Sequence, residues 1–170
     1  MERNKKRNLT YISLCVAIMA VLSQIAIPVG AVPLTIQSFV VALIGYFLGV
    51  KAGLCTVAVY ILLGLVGAPV FAGFQGGFHT LISYTGGFIF GYLPFVLLCG
   101  IRGKRWQRIA LGTVGLVLCH LCGTAQYTLL AEMSFWKAAL VVSLPFLVKD
   151  AFLVVGAYFV SEVLNKRLKR

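Results

Sequence analysis

Long apolar segments, separated by short basic or glycine-rich stretches, constrain the fold of this 170-residue chain more than any other feature. Hydrophobic residues make up 61% of the sequence and charged residues 11%, whereas soluble domains average about 45–50% apolar and about 25% charged residues. A water-soluble fold cannot bury this much apolar surface, so we expect an all-α integral membrane protein. The length fits a single membrane domain over residues 1–170, and about 20 residues per crossing leaves room for six transmembrane helices.

The apolar runs predict where these six helices lie. We place them at residues 9–27, 38–50, 52–66, 85–101, 109–130 and 135–164. The second and third are short for a hydrocarbon core of about 30 Å, and only a short turn around Lys51 separates them. The basic segment before the first run is also typical of a signal peptide, but this run is long and lacks a small-x-small cleavage site, so we expect a retained helix.

Basic residues alternate with uncharged loops along the chain. Thirteen of the fifteen Lys and Arg residues lie before residue 9, at position 51, within residues 102–108 or after residue 165. By the positive-inside rule, these stretches face the cytoplasm, so both termini are expected there. Clusters of this kind favour anionic membrane lipid as the partner, and we exclude nucleic acid.

Small residues recur inside the predicted helices. Glycine appears every fourth residue at Gly45, Gly49 and Gly53, and again at Gly87 and Gly91. This spacing lets helix backbones approach closely within a membrane. We therefore expect tight helix packing at these positions, which by itself indicates no function.

The cysteines do not indicate a metal or redox centre. Their number is odd, which does not suit a disulfide framework. The sequence CHLC at residues 119–122 resembles a metal motif, but no second ligand cluster completes a tetrahedral site. We interpret all five as small packing residues: Cys15, Cys55, Cys99, Cys119 and Cys122.

Asp150 is the clearest candidate for a functional residue, because it follows Lys149 inside an apolar run. A charge at membrane depth is energetically costly and usually marks a function. Adjacent helical residues point about 100° apart, so we expect the two side chains to be poorly placed for a direct ion pair. Asp150 would accept N–H groups of a ureido or amide-like ligand, and Lys149 would meet a carboxylate; mutual neutralisation is the alternative. Pro145 predicts a kink or a new helix start just before the pair.

The other three acidic residues adjoin basic stretches or lie in an outer loop, and we assign them no specific role: Glu2, Glu132 and Glu162.

Uncharged outer loops after the first and third helices are rich in Pro, Gly, Thr, Gln and aromatic residues. Irregular backbone at membrane depth must be buried against protein or line a cavity. We therefore expect these loops to roof an outward-facing cavity above Asp150. Uncharged residues of this outer layer are candidate ligand contacts, with a merely solvated position as the alternative for each: Thr35, Gln37, Gln75, His79, Tyr84, Gln126 and Tyr127.

Several catalytic motifs are missing from the sequence. It has no Walker motif, no His-Glu-x-x-His zinc site and no Gly-x-Ser-x-Gly elbow. One intramembrane carboxylate cannot form an aspartyl dyad. We therefore expect a protein that is not an enzyme, requires no cofactor or metal, and does not hydrolyse ATP by itself.

Four features in order resemble the BioY family of biotin transporters. They are VPLTIQ at residues 32–37, GAPVFAG at 67–73 followed by Gly76 and Gly77, TGGFIFG at 85–91, and Phe146 four residues before Asp150. The resemblance covers about residues 9–164. One departure concerns the basic residue: many family members have Lys three residues after the Asp, where this chain has Leu153, while Lys149 directly precedes Asp150.

The resemblance implies an activity and a set of partners. BioY proteins are biotin-binding S components of energy-coupling factor (ECF) transporters in prokaryotic cytoplasmic membranes, and they work with a transmembrane coupling protein and two ATPase subunits. Asp150 matches the family carboxylate expected to bind the ureido ring of biotin. Small residues four apart on the first helix of such proteins contact the coupling protein, and Ser13 and Ala17 match that spacing; ordinary helix packing is the alternative.

Two other functional classes stay open on the sequence alone. The chain could serve as an S component for a different vitamin, such as thiamin or riboflavin; a loss of binding on Lys149→Ala would argue against cationic thiamin. An intramembrane enzyme or a packing scaffold is the other alternative, which product formation or failure to bind any vitamin would support.

Overall fold

The computed structural model describes residues 2–28 and 32–168, with side chains described for 6–28 and 32–168. Residues 29–31 of the first predicted outer loop lie outside the described residues, as do Lys169 and Arg170 of the basic C-terminus. Eight helices and two short strands occur within the described ranges. In chain order they are α1 (Glu2–Leu22), β1 (Ala26–Ile27), β2 (Leu34–Thr35), α2 (Gln37–Leu48), α3 (Val50–Leu65), α4 (Phe78–Leu81), α5 (Gly86–Gly100), α6 (Arg105–Ala131), α7 (Phe135–Val142) and α8 (Leu144–Leu168).

The long helices form a bundle in which α5 packs mainly against α6, and α2 lies against both α5 and α8. Two glycine positions explain the close packing around α5. A Cβ at Gly91 would lie 2.8 Å from Cys119 Cα on α6, and a Cβ at Gly45 would lie 2.8 Å from Val96 O on α5. Neither position tolerates a side chain, which confirms the predicted tight packing of these glycines.

The surface of the bundle is apolar as well as its core. Leu62, Phe90 and Phe152 are exposed on three different helices, whereas polar Thr56 and Ser161 are buried. Helices that are apolar on all sides suit a membrane rather than water. In the described part of the chain, α6 and α8 are long and apolar enough to cross a membrane, while α2, α3 and α5 are shorter apolar helices.

The predicted second and third helices are separated by a single residue. Gly49 has a φ of 78°, in the region that glycine adopts without a steric penalty, and it ends α2 just before α3 begins at Val50. The sharp turn therefore depends on one glycine.

The predicted sixth helix, residues 135–164, is wrong as one element. Ser143 separates α7 from α8, and Pro145 is the second residue of α8. Proline suits the first turn of a helix because the amide groups there have no partner within the helix. The prediction of a helix start just before Lys149 and Asp150 is thereby confirmed.

The first helix also differs from its predicted span of residues 9–27. It begins at Glu2, within the basic segment, and ends at Leu22. The Ser23 hydroxyl donates to Ala20 O at 2.6 Å and approaches Val70 O at the same distance. The chain then continues into β1, where Ala26 pairs with Thr35 and Ile27 pairs with Leu34 of β2. This hairpin and the short helix α4 were not predicted.

Charged segments meet at one end of the bundle, called the basic end below. The rings of Tyr11 on α1 and Phe47 on α2 lie 5.6 Å apart, and Arg108 Nη2 on α6 donates to Tyr46 O at 2.9 Å. Arg108 also forms an ion pair with Glu162 on α8, with 2.8 Å between Nη1 and Oε1. The assignment of no specific role to Glu162 is therefore wrong, since it connects two helices. The hairpin, α4 and the loop before α4 lie at the other end.

The cysteines occupy mixed environments. Cys99 and Cys119 are buried, and Cys15 is half-buried, as expected for packing residues. Cys55 and Cys122 are exposed, so the packing interpretation is wrong for these two. Both lie on apolar helix surfaces, where a cysteine behaves as a small hydrophobic residue.

Candidate functional site

A cavity of about 320 Å³ lies at the end of the bundle away from the basic end. Residues from α2, α3, α5, α6 and α8 form its walls, and the loop before α4 contributes Phe71, Ala72 and Gln75. Its volume lies within the range of small-molecule sites. Most of the lining is apolar or aromatic, with a few polar groups, which is typical of sites that enclose an organic ligand.

Hydrogen bonds hold the loop before α4, which covers one side of the cavity. Gln24 Nε2 donates to Pro69 O at 3.3 Å and Phe71 O at 3.2 Å, and Gln24 Oε1 accepts from Phe74 N at 2.7 Å. Tyr60 donates to Val70 O at 2.8 Å from below. Gln24, just after α1, and Tyr60 on α3 thus hold the loop, and Phe71 projects into the bundle, where it is 2% exposed.

The β1–β2 hairpin covers a second side of the cavity. Thr35 lies on β2 and lines the cavity, and its carbonyl oxygen accepts from Lys149 Nζ at 2.6 Å. The next turn places Gln37 at the start of α2, where its Nε2 donates to Tyr60 Oη at 2.9 Å. Lys149 therefore joins the hairpin to α8.

Asp150 is the charged centre of the site, and its side chain is almost fully buried. Its Oδ1 accepts from the Ser38 hydroxyl on α2 and lies 2.8 Å from Lys149 Nζ. Its Oδ2 lies 3.4 Å from His120 Nε2 on α6. The carboxylate is thus held by polar groups from three helices and still borders the cavity.

Lys149 and Asp150 form a direct ion pair, so the expectation that they are poorly placed for one is wrong. Their Cα–Cβ bonds diverge around the helix, but the long lysine side chain bends back to the neighbouring carboxylate. It also reaches Thr35 O, which supplies a second acceptor.

Seven of the nine residues predicted as ligand contacts line this one cavity: Thr35, Gln37, Gln75, His79, Tyr84, Lys149 and Asp150. The structure places Gln126 and Tyr127 behind the cavity wall. Gln126 Nε2 donates to Leu81 O at 2.9 Å and Ser83 O at 2.7 Å, which braces the segment before α5. Tyr127 packs beside Ala138 and Val142, with its ring 5.2 Å from that of Tyr84.

Ser13 and Ala17 lie away from the cavity, exposed on one face of α1. Leu14, Ile18 and Val21 are exposed beside them. This face of α1 packs against no other element in the described ranges, so it presents a stripe of small and apolar residues on the outside of the bundle.

Sequence reasoning missed several polar residues of the cavity wall, among them Ser38, Tyr60, Tyr92 and His120. Ser38 and His120 contact the Asp150 carboxylate directly. The available signal was His120 itself, because a histidine inside an apolar helix is as unusual as an acid. Among the described residues, no group of three or more His, Cys, Asp or Glu side chains is arranged to hold a metal ion.

Comparisons with known proteins agree over the length of the chain. The sequence profile of the BioY family matches residues 1–170. A protein of Pyrococcus horikoshii named probable biotin transporter BioY is 36% identical over 162 residues, which are 95% of this chain and 98% of that protein. The biotin transporter BioY of Thermotoga maritima is 34% identical over 164 residues, covering 94% of this chain and 96% of its own.

One solved structure is similar throughout. It is the crystal structure of the S-component for biotin from an ECF-type ABC transporter, with a TM-score of 0.91 and 22% sequence identity, and the match covers 98% of this chain and 95% of that one. At this identity the likeness establishes a shared membrane fold. Together with the sequence matches over nearly the whole length of two relatives, it shows that the chain belongs to the BioY family.

Proposed function

We propose that this chain is the biotin-capturing S component of an ECF-type uptake transporter and that it binds its ligand without chemically changing it. The observation that carries the proposal is the buried Asp150 carboxylate at the wall of a largely apolar cavity. A buried charge in an apolar bundle is costly unless a partner or ligand uses it. In a family whose relatives are named biotin transporters, a ureido ligand supplies the matching N–H donors.

The chemistry of the cavity fits the two halves of biotin. The ureido N–H groups would donate to Asp150, and a charged acceptor makes such bonds about twice as strong as neutral ones. Aromatic side chains supply apolar surface for the thioether ring and the aliphatic chain, among them Tyr60, Phe88 and Phe95. The carboxylate of biotin would lie toward the loops, near Gln75 and His79.

The helices would cross the membrane six times if α7 and α8 together make the last crossing and α4 lies in an outer loop. The basic end supports a cytoplasmic position for both termini, because it collects the starts of α1 and α6 and the end of α8. The cavity would then open to the outside of a prokaryotic cytoplasmic membrane. Residues 1–170 would form one membrane domain.

The exposed stripe of α1 supports a transmembrane coupling protein as the partner. Ser13 and Ala17 are small and lie four residues apart on an otherwise apolar face. Such spacing allows a second helix to approach closely within the membrane. Two ATPase subunits would complete the transporter, since the sequence carries no Walker motif of its own.

Calorimetry on detergent-purified protein tests the ligand. We expect biotin to bind, and thiamin and riboflavin to give no heat of binding under the same conditions. Selective binding of thiamin or riboflavin would assign a different vitamin. A folded protein that binds none of the three would contradict the proposal and favour a scaffold.

An Ala17→Trp variant tests the coupling surface. Because a large side chain would keep a partner helix away, we expect loss of co-purification with the coupling protein and loss of biotin uptake, with biotin binding unchanged. Val114→Trp is the matched control, since Val114 is also exposed and apolar but lies on α6. Equal effects of the two variants would show that α1 is not the contact surface.

A further inference from the structure

His120 is a buried histidine that faces the Asp150 carboxylate, the proposed ligand-binding group. It lies on α6, is 7% exposed, and its Nε2 is 3.4 Å from Asp150 Oδ2. The Phe88 ring on α5 packs edge-on against the imidazole, with 5.6 Å between ring centroids. The imidazole therefore packs against protein on one face, has a polar neighbour at Nε2 and lies at the wall of the cavity.

The other imidazole nitrogen, Nδ1, lies at the end of a row of two hydroxyl groups, called the hydroxyl chain below. His120 Nδ1 lies 3.2 Å from Ser143 Oγ, and Ser143 Oγ lies 2.6 Å from Thr124 Oγ1. Ser143 is the residue between α7 and α8, and Thr124 is one turn after His120 on α6. Together with His120, the hydroxyl chain thus connects the break between α7 and α8 to the Asp150 carboxylate on α8.

The Asp150 carboxylate sets the direction that we assign to the hydroxyl chain, because a donor on the facing nitrogen, Nε2, is the favourable arrangement 3.4 Å from Oδ2. A hydroxyl has one proton, and a neutral imidazole carries one proton on either nitrogen. If Thr124 donates to Ser143, and Ser143 donates to His120 Nδ1 rather than to the more distant His120 O at 3.5 Å, the imidazole proton lies on Nε2, the nitrogen 3.4 Å from Asp150 Oδ2. The hydrogen bond at one ring nitrogen commonly determines which tautomer the other presents.

One cation already pairs with the carboxylate that His120 faces. Lys149 on α8 already lies 2.8 Å from Asp150 Oδ1 and balances its charge. Other titratable side chains also line the cavity, among them Cys119 on the same helix and Tyr92 on α5. A neutral Nε2–H supplies a donor to Asp150 Oδ2 that needs no counter-ion of its own.

We infer that His120 is a positioning residue for biotin capture: its Nε2–H, selected by the Thr124–Ser143 hydroxyl chain, fixes the rotation of the Asp150 carboxylate. Ser38 and Lys149 hold Oδ1, and His120 holds Oδ2, so the remaining lone pairs of both oxygens point in set directions toward the ligand. The inference rests on the proposed function, because it concerns the orientation of the same carboxylate.

Two conservative variants separate the two nitrogens of His120. Glutamine places an amide donor near the position of Nε2, and asparagine places its amide near Nδ1. We expect His120→Gln to bind biotin within about threefold of the unmodified protein, and His120→Asn to bind about tenfold or more weakly, the size of one hydrogen bond to a charged group. Equal loss in both variants, or no loss in either, would overturn the inference.

Nitrogen NMR on protein with ¹⁵N-labelled histidine reports the tautomer directly. The chain has two histidines, so comparison with His120→Gln assigns the signals. We expect the Nε2–H form for His120 and a mixture of forms in Ser143→Ala, accompanied by weaker biotin binding. A charged or Nδ1–H imidazole in the unmodified protein would contradict the hydroxyl chain as its determinant.

These outcomes remain distinct from a failure of the proposed function. If the unmodified protein does not bind biotin, the function fails, while the NMR spectrum still reports the His120 tautomer. If it binds biotin and Asp150→Asn weakens binding but the two His120 variants behave alike, only the role of His120 fails.

Discussion

Two ion pairs lie at opposite ends of the same apolar bundle, and they differ in what surrounds them. The outer pair, Lys149 and Asp150, borders the cavity. The inner pair, Arg108 and Glu162, lies at the basic end, where it joins α6 to α8. The outer carboxylate is buried, whereas the Glu162 side chain is 40% exposed.

Aromatic rings and a backbone carbonyl group surround Arg108, the cation of the inner pair. The Arg108 guanidinium carbon lies 5.4 Å from the centre of the Tyr46 ring and 5.0 Å from that of Tyr158. Arg108 also donates to Tyr46 O, and Tyr46 donates back to Arg108 O at 3.2 Å. Because these contacts point into neighbouring helices, the inner pair is suited to holding the bundle together.

The type of charge pair does not decide its role in this bundle. Both pairs consist of a cation and a carboxylate at a distance of 2.8 Å. The two pairs differ in where their other hydrogen-bonding groups point. At the inner pair these groups point into protein, and at the outer pair they point toward a cavity. Substitutions at the outer pair should therefore affect binding, and those at the inner pair should affect stability.

Asp150→Asn should have the largest effect. The amide keeps the size of the side chain but removes the charge that pairs with Lys149 and that we propose as the acceptor of the ureido N–H groups. We expect biotin to bind at least about 100-fold more weakly, as for the loss of about 3 kcal/mol from hydrogen bonds to a charged acceptor. Calorimetry measures the change, and retention of full affinity would remove Asp150 from the site.

Arg108→Gln should come next and should act on stability. The variant loses the ion pair, the bond to Tyr46 O and two cation–π contacts. We expect unfolding free energy to fall by about 2 kcal/mol, with biotin affinity unchanged. Thermal unfolding in detergent measures the first and calorimetry the second. A selective loss of affinity would mean that the inner pair communicates with the cavity.

The sequence predicted the outer pair better than the inner one, for a physical reason. Asp150 stands out because an acid within an apolar run has no solvent to stabilise it, so its cost is visible from composition alone. Glu162 lies beside basic residues and looks solvated, and its partner Arg108 is 54 residues away in the chain. Only the packing of α6 against α8 brings the two together.

The same limit explains which elements were predicted. Apolar runs and Pro145 located the long helices and the start of α8, because both depend on local sequence. The contact of His120 with Asp150 depends on the rotation of α6 relative to α8, which tertiary packing sets. Gln126 shows the converse: it lies at the expected depth but points to backbone carbonyls behind the cavity wall.

Lys149→Met should have a smaller effect that identifies the part of the ligand it contacts. Since Nζ lies beside Asp150 Oδ1, we expect it to donate to the ureido carbonyl at the same end of biotin. Affinity should fall about tenfold, as for one hydrogen bond from a charged donor. Biotin and biotin methyl ester should lose affinity equally. A loss confined to free biotin would place Lys149 at the ligand carboxylate, as the sequence alone suggested.

Glu162→Gln should have the smallest effect and is the matched control for Asp150→Asn, because the chemical change is the same at the two pairs. The glutamine amide can still accept from Arg108, and exposed ion pairs contribute only about 0–1 kcal/mol. We therefore expect a small decrease in unfolding temperature that disappears at high salt, and no change in biotin affinity. If Glu162→Gln weakened biotin binding as Asp150→Asn does, the division into a binding pair and a structural pair would be wrong.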